Sequence, residues 1–124
     1  MQSSPGSIDT RQILDVCAVD GRVDRVLLRE LLGYFIDENA RRLDACAAAL
    51  ARGDRRALRD LAHAVRGSAA LFGAGRLHDL AWALEQDAAI DALTVLGSAI
   101  ENLRGEYDRV VAALRRAHPD AWID

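Results

Sequence analysis

Apolar residues recur at three- and four-residue spacing through most of this chain, the period of α-helices that each bury one face. The pattern predicts a short helix over 9–16, with Ile13 and Leu14 for burial, and then a turn at Val19-Asp20-Gly21. A long helix over 24–51 follows, with Leu28, Leu31, Leu32, Phe35, Leu43, Cys46, Ala47 and Leu50 along one side. Asn39 interrupts that stripe and is the one polar side chain expected near the interior. Gly53 closes this helix as a left-handed cap and Asp54 opens the next, over 55–72. Gly73-Ala74-Gly75 makes a tight corner before a helix over 76–88, with Leu77, Leu80, Ala81 and Leu84 inward. Asp91 is expected to cap a last helix over 92–117, with Pro119 just past its end. In that helix Leu93, Leu96, Ile100, Leu103, Tyr107, Val110 and Leu114 form a coiled-coil-like seam. No strand pattern, internal repeat or low-complexity tract is visible. The expected fold is all-α: an antiparallel up-down-up-down four-helix bundle whose short additional N-terminal helix caps one end.

At 124 residues there is room for one core. Residues 1–7 (MQSSPGS) read as a disordered lead or an expression remnant, 8–118 as the helical domain and 119–124 as a tail. A net charge of −3 gives no general reason to bind nucleic acid, although the arginines leave room for a local basic patch. No apolar run approaches membrane-spanning length and no apolar signal region opens the chain, so a cytoplasmic protein is expected. Cys17 and Cys46 lack metal-ligand spacing and read as buried free thiols.

One histidine stands apart from this packing scheme. With Leu61 at zero on a helical wheel, Leu58, Val65, Ala69 and Phe72 fall between about 20° and 80°. His63 falls at about 200°, among Arg56, Arg59, Arg66, Gly67 and Ala70. An imidazole thus faces water on a rigid rod, with three guanidinium groups and two small residues around it. Arg66, one turn on, can bond an anion held on the ring, and Arg59, one turn back, adds positive field. Gly67 costs up to about 1 kcal/mol in a helix interior. Close approach of another molecule would offset that cost; tight helix–helix packing is the alternative, less favoured by its wheel position.

Other chemistry is weakly supported. His63, His78 and His118 lack the one-turn spacing of a helical metal site, so no metal is expected. No nucleophile triad or phosphate loop is visible. Paired acids such as Asp37 and Glu38 read as a solvated face.

The run His63-Ala64-Val65-Arg66-Gly67-Ser68-Ala69, followed by Phe72-Gly73-Ala74 and Leu77, resembles the signature of histidine phosphotransfer (HPt) domains. The likeness extends to Phe35-Ile36-Asp37-Glu38, Gly53-Asp54 and Leu84-Glu85, and as a helix order covers about 8–115. Arg66 replaces the commoner Lys and Val65 the commoner Leu. The resemblance implies that His63 is a phosphoacceptor through its outer ring nitrogen. Arg66 would steady the phosphoryl oxygens, Gly67 would leave room for a docking partner, and Ser68 lies beside it. Glu85 stands where some members hydrogen-bond the inner nitrogen, which would fix the tautomer. Arg56, Arg59, Ala70, Asn39 and Arg42, with Leu43 and Ile13 close by, would form the docking surface.

The implied function is a phosphorelay intermediate in two-component signalling. It would take a phosphoryl group from an aspartyl-phosphate receiver domain and pass it to another receiver, reversibly. It would not be an enzyme and would bind no cofactor, the Mg²⁺ being held by the receiver. Partners would be receiver domains of response regulators or of a hybrid sensor kinase, with no nucleic acid and no membrane insertion, and the protein would be a monomer. The Ser-Pro-Gly lead favours a domain excised from a hybrid kinase over a free-standing protein. A kinase dimerisation domain expects an acidic residue after the histidine and a nearby Pro, but Ala64 follows and no Pro lies between Pro5 and Pro119. A helical adaptor in which His63 is never phosphorylated, with Trp82 as an anchor, is the alternative.

Overall fold

Capping chemistry sets most of the element boundaries. The computed structural model describes residues 4–119. In order it holds α1 (Arg11–Val16), β1 (Ala18–Val19), β2 (Arg22–Val23), α2 (Arg25–Ala51), α3 (Arg55–Leu71), α4 (Gly75–Asp87) and α5 (Leu93–Ala117). The Asp24 carboxylate accepts from the amides of Val26 and Leu27 at the start of α2. Asp54 does the same for Ala57, at 3.0 Å, at the start of α3. Gly53 (φ 71°) and Gly73 (φ 61°) turn the chain in the left-handed region after α2 and α3.

Two expectations about the elements themselves are corrected. Asp91 does not cap α5: the N-cap is Ala92, and no side chain bonds the first turn. The junction is held from a distance instead. Arg55 Nη1 donates to the carbonyls of Ala88 (3.1 Å), at the end of α4, and Asp91 (2.7 Å), just before α5. Strands are also present. The expected turn at Asp20-Gly21 has both residues at positive φ (51° and 78°), the requirement of a type I′ hairpin. It pairs Ala18 with Val23 and Val19 with Arg22 in antiparallel register. Strands of two residues each are too short to leave a period in the sequence.

The helices meet chiefly as α2 with α3, α3 with α4, α4 with α5, and α2 with α5. Between them Leu32, Phe35, Leu43, Leu58, Val65, Leu77, Leu84, Leu96, Leu103 and Leu114 are buried. The rings of Phe35 and Phe72 lie 4.5 Å apart, joining α2 to the end of α3. Ala47, expected inward, is exposed, and Ala49 is buried in its place. On α3 the fully buried stripe runs Leu58, Ala62, Val65, Ala69, with Leu61 only partly covered. Both cysteines are buried and free. Burial raises both thiols, Cys46 to about 11, which removes them as nucleophiles near neutral pH.

Asn39 is not alone in the interior. Glu106 on α5 is also fully buried. Its Oε2 accepts from the Gly6 amide (2.7 Å) and its Oε1 from Arg109 Nε (3.0 Å), with Arg76 Nε at 3.7 Å. Residues 4–7, expected as part of a disordered lead, therefore dock on the helices, and Ser7 N–H closes a turn onto Ser4 O. Residues 1–3 of that lead and 120–124 of the expected tail lie outside the described residues.

The corner after α3 is the tightest point. A Cβ on Gly73 would run into the backbone of Asp9, whose amide donates to Phe72 O. Gly73→Ala should cost about 2–4 kcal/mol from left-handed strain plus steric conflict. Gly53→Ala, with open space around the added methyl, should cost only about 1–2 kcal/mol. Urea unfolding of the two variants checks the difference.

Candidate functional site

The apolar side of α3 is committed to the core, which leaves the opposite side bare. Arg56, Arg59, His63, Gly67 and Ala70 are all exposed along it. Ring and helix form a fixed platform, because Leu58, Ala62, Val65 and Ala69 anchor the rod from behind.

The His63 side chain is 64% exposed, yet its inner nitrogen is held. Nδ1 lies 2.9 Å from Oε2 of Glu85, a residue brought from α4 whose side chain is only 14% exposed. An ionised carboxylate only accepts, so the ring makes this hydrogen bond in the tautomer with its proton on Nδ1 and its lone pair on Nε2. Arg66 completes a triangle. Its Nη2 is 2.9 Å from the same Nδ1, and its Nε is 2.9 Å from Glu85 Oε1. The Nε–Oε1 contact is a close charge pairing rather than a directed hydrogen bond. The guanidinium therefore rests on the inner side of the ring, beside Glu85, and not beside Nε2.

Gly67 has open space where a Cβ would stand, with no atom within 4 Å beyond its own neighbours and its own helix's backbone. Close helix–helix packing therefore does not account for this glycine. Arg59 reaches Asp60 at 3.3 Å. With Arg55, Arg56 and Ala89 it lines an open groove of about 450 Å³ along the first half of α3.

Other residues expected on the docking surface lie elsewhere. Asn39, Leu43 and Ile13 are fully buried, so their side chains offer nothing to a partner. Asn39 acts as a strut between α2 and α3. Its Nδ2 donates to Phe35 O and to Ser68 Oγ, both at 2.9 Å, and its Oδ1 accepts from Arg42 Nη1 at 3.0 Å. Of the α2 residues expected at the surface, only Arg42 keeps partial exposure. Ser68 thus turns toward α2 rather than toward the imidazole. Trp82 is 49% exposed, half a surface residue.

Sequence reading missed the contact of Arg66 with Nδ1, because that contact depends on Glu85 arriving from another helix. It also missed Glu106, although Glu106 lies on the seam between Leu103 and Val110, where a carboxylate is out of place. Among the described residues no group of three His, Cys, Asp or Glu could hold a metal ion. None of the described helices is long and apolar enough to cross a membrane.

The open surroundings of Gly67 make a clear expectation. Gly67→Ala should stabilise the fold by up to about 1 kcal/mol, since the methyl meets nothing and helix propensity improves. Thermal unfolding followed by circular dichroism checks it.

The model of the Hpt domain matches residues 30–113, a span holding the histidine, the arginine, the glycine and the glutamate just described. No curated protein and no solved structure gives a significant match.

Proposed function

The chain belongs to the Hpt domain family, and so to histidine phosphotransfer in two-component phosphorelay; from that premise we propose that His63 is its phosphoacceptor. The observation that carries the proposal is the pairing of a pinned Nδ1 with a free, outward Nε2. We read the packing order of α2 to α5 as an antiparallel four-helix bundle spanning 8–118, with α3 as its displayed edge.

In the proposed reaction the Nε2 lone pair attacks the phosphorus of an aspartyl phosphate on a docked receiver. The N–P bond forms as the acyl P–O bond breaks, and the aspartate leaves with the electron pair. Transfer to a second receiver runs the same exchange in reverse. Glu85 keeps Nδ1 as the protonated nitrogen, so Nε2 is always the nucleophile. Arg56, Arg59 and Arg66 supply positive field for the phosphoryl charge and for an acidic receiver face. Steadying of the phosphoryl oxygens by Arg66 itself would require its guanidinium to swing outward. Gly67 and Ala70 leave clearance for the partner's loops. The chain brings a nucleophile and a docking surface, and the receiver brings the Mg²⁺ and most of the transition-state stabilisation. A monomeric, cytoplasmic carrier that binds neither nucleic acid nor cofactor fits this role.

The test is incubation with phosphorylated receiver domains and a search for acid-labile, alkali-stable label. Wild type should acquire it and His63→Gln should not. Absence of label with several receivers, or equal labelling of the variant, would leave the helical adaptor as the reading. Gly67→Ala gives a second check through the same assay. The variant should fold at least as well as wild type yet accept label roughly tenfold more slowly, a loss of about 1.4 kcal/mol in docking or transfer.

A further inference from the structure

The two contacts to His63 Nδ1 cannot be satisfied at the same time. Glu85 Oε2 is an acceptor and needs a proton on that nitrogen, whereas Arg66 Nη2 is a donor and needs a lone pair there. Both sit at 2.9 Å, and a neutral imidazole nitrogen offers only one or the other. Glu85 and Arg66 also touch each other, through Oε1 and Nε at 2.9 Å, so neither can turn away without losing the other. Side-chain exposures of 14% and 29% keep the pair largely out of water, where competing solvent would blur the distinction.

We propose that the Glu85–Arg66 pair is a two-way cradle for Nδ1, accepting from it before phosphorylation and donating to it afterwards, and so setting the lifetime of the phosphohistidine. This rests on His63 being the phosphoacceptor. Attack through Nε2 leaves the ring as a phosphoimidazolium with its proton on Nδ1. In that form the N–P bond is weak, because the leaving group is neutral imidazole. Loss of the Nδ1 proton to solvent leaves a neutral phosphoimidazole with a lone pair on Nδ1. Its N–P bond now resists cleavage, because departure would require an imidazolate. Arg66 Nη2 is already placed to donate to that lone pair, and Glu85 then serves Arg66 through Oε1. Onward transfer begins when the proton returns to Nδ1 and Glu85 Oε2 again accepts it.

A carboxylate without the guanidinium would do the opposite. It would draw a proton onto Nδ1 of the phosphorylated ring and shorten its life. Arg66 is in this sense a positioning residue acting through Nδ1, and the two residues should pull the lifetime in opposite directions.

The experiment loads the protein chemically with phosphoramidate, which needs no receiver, and follows phospho-His63 by phosphorus and nitrogen NMR. His63→Gln identifies signals from His78 and His118. Phosphorylated wild type should show an unprotonated Nδ1. Arg66→Ala should show a protonated Nδ1 and a half-life shortened by roughly tenfold, the scale of one lost charge-assisted hydrogen bond. Adding Glu85→Gln to Arg66→Ala should restore most of the half-life, because the offending carboxylate is gone. The ratio between wild type and Arg66→Ala should survive high salt, which would erase a purely through-space field. Equal half-lives, a protonated Nδ1 in phosphorylated wild type, or no recovery in the double variant would overturn the proposal. If this pattern appeared after chemical loading while no receiver gave label, the relay would fall and the cradle would stand.

Discussion

The hydrogen bond between Glu85 and the inner nitrogen of His63 joins α3 to α4, and the character of the site hangs on it. It forms only because the chain reverses sharply after Phe72, so that residues at similar separations on either side of Gly73 meet. Gly73 makes that reversal with a left-handed backbone and no side chain, and Asp9 packs against it from the N-terminal segment. Phe72 packs at a tilt against Phe35 and ties the corner to α2. A corner displaced by one residue would rotate α4 by about 100° and carry Glu85 away from the ring. The nearest thing to catalytic preparation in this protein is thus a consequence of how one turn is packed.

A second constraint concerns how α3 divides its surface. One side carries the enclosed apolar stripe Leu58, Ala62, Val65 and Ala69, and the other carries a histidine, arginines and small residues in the open. The exposed side gives up helix stability at Gly67 without any packing in return. The interior has a polar expense of its own, which is met in full at Asn39. Its amide hydrogens go to Phe35 O and Ser68, and its oxygen takes Arg42. That strut fixes the roll of α3 about its axis relative to α2, and therefore the direction in which His63 looks. Glu106 is the other buried polar side chain: it accepts from the Gly6 amide and from Arg109 and draws the N-terminal segment onto the helices.

The helices, most of their inward faces and the outward histidine were legible in the sequence because each is a local, periodic signal. The 100° step of an α-helix places His63 opposite Leu58 and Val65 without knowledge of any other element. Asp54 as a cap is equally local. What was illegible was long-range. Arg55 holding the carbonyls of Ala88 and Asp91 leaves no trace near Asp91, so the aspartate looked like the cap. Asn39 and Leu43 lie on the inner side of α2, as their spacing predicts; what failed was placing them on the docking surface as well, which needed the way α2 and α3 meet. The hairpin, with strands of two residues each, fell below the length at which alternation can be seen.

Arginine at position 66, in place of the lysine commoner in the family pattern, has a physical sense in this setting. An ammonium is a compact point charge at the end of a flexible stem, and it can pair with Glu85 or approach the ring. It has no second nitrogen fixed at a set spacing from the first. The guanidinium is a planar group, and here its Nη2 lies 2.9 Å from His63 Nδ1 while its Nε lies 2.9 Å from Glu85 Oε1 as a charge contact rather than a directed hydrogen bond. One rigid group thus spans the carboxylate and the imidazole together, so the positions of all three are coupled. The coupling matters more than the charge. A carboxylate alone would always favour a protonated inner nitrogen, and a cation alone would always oppose it. A fork that holds both partners lets the same nitrogen be served in either state without moving the backbone that carries it.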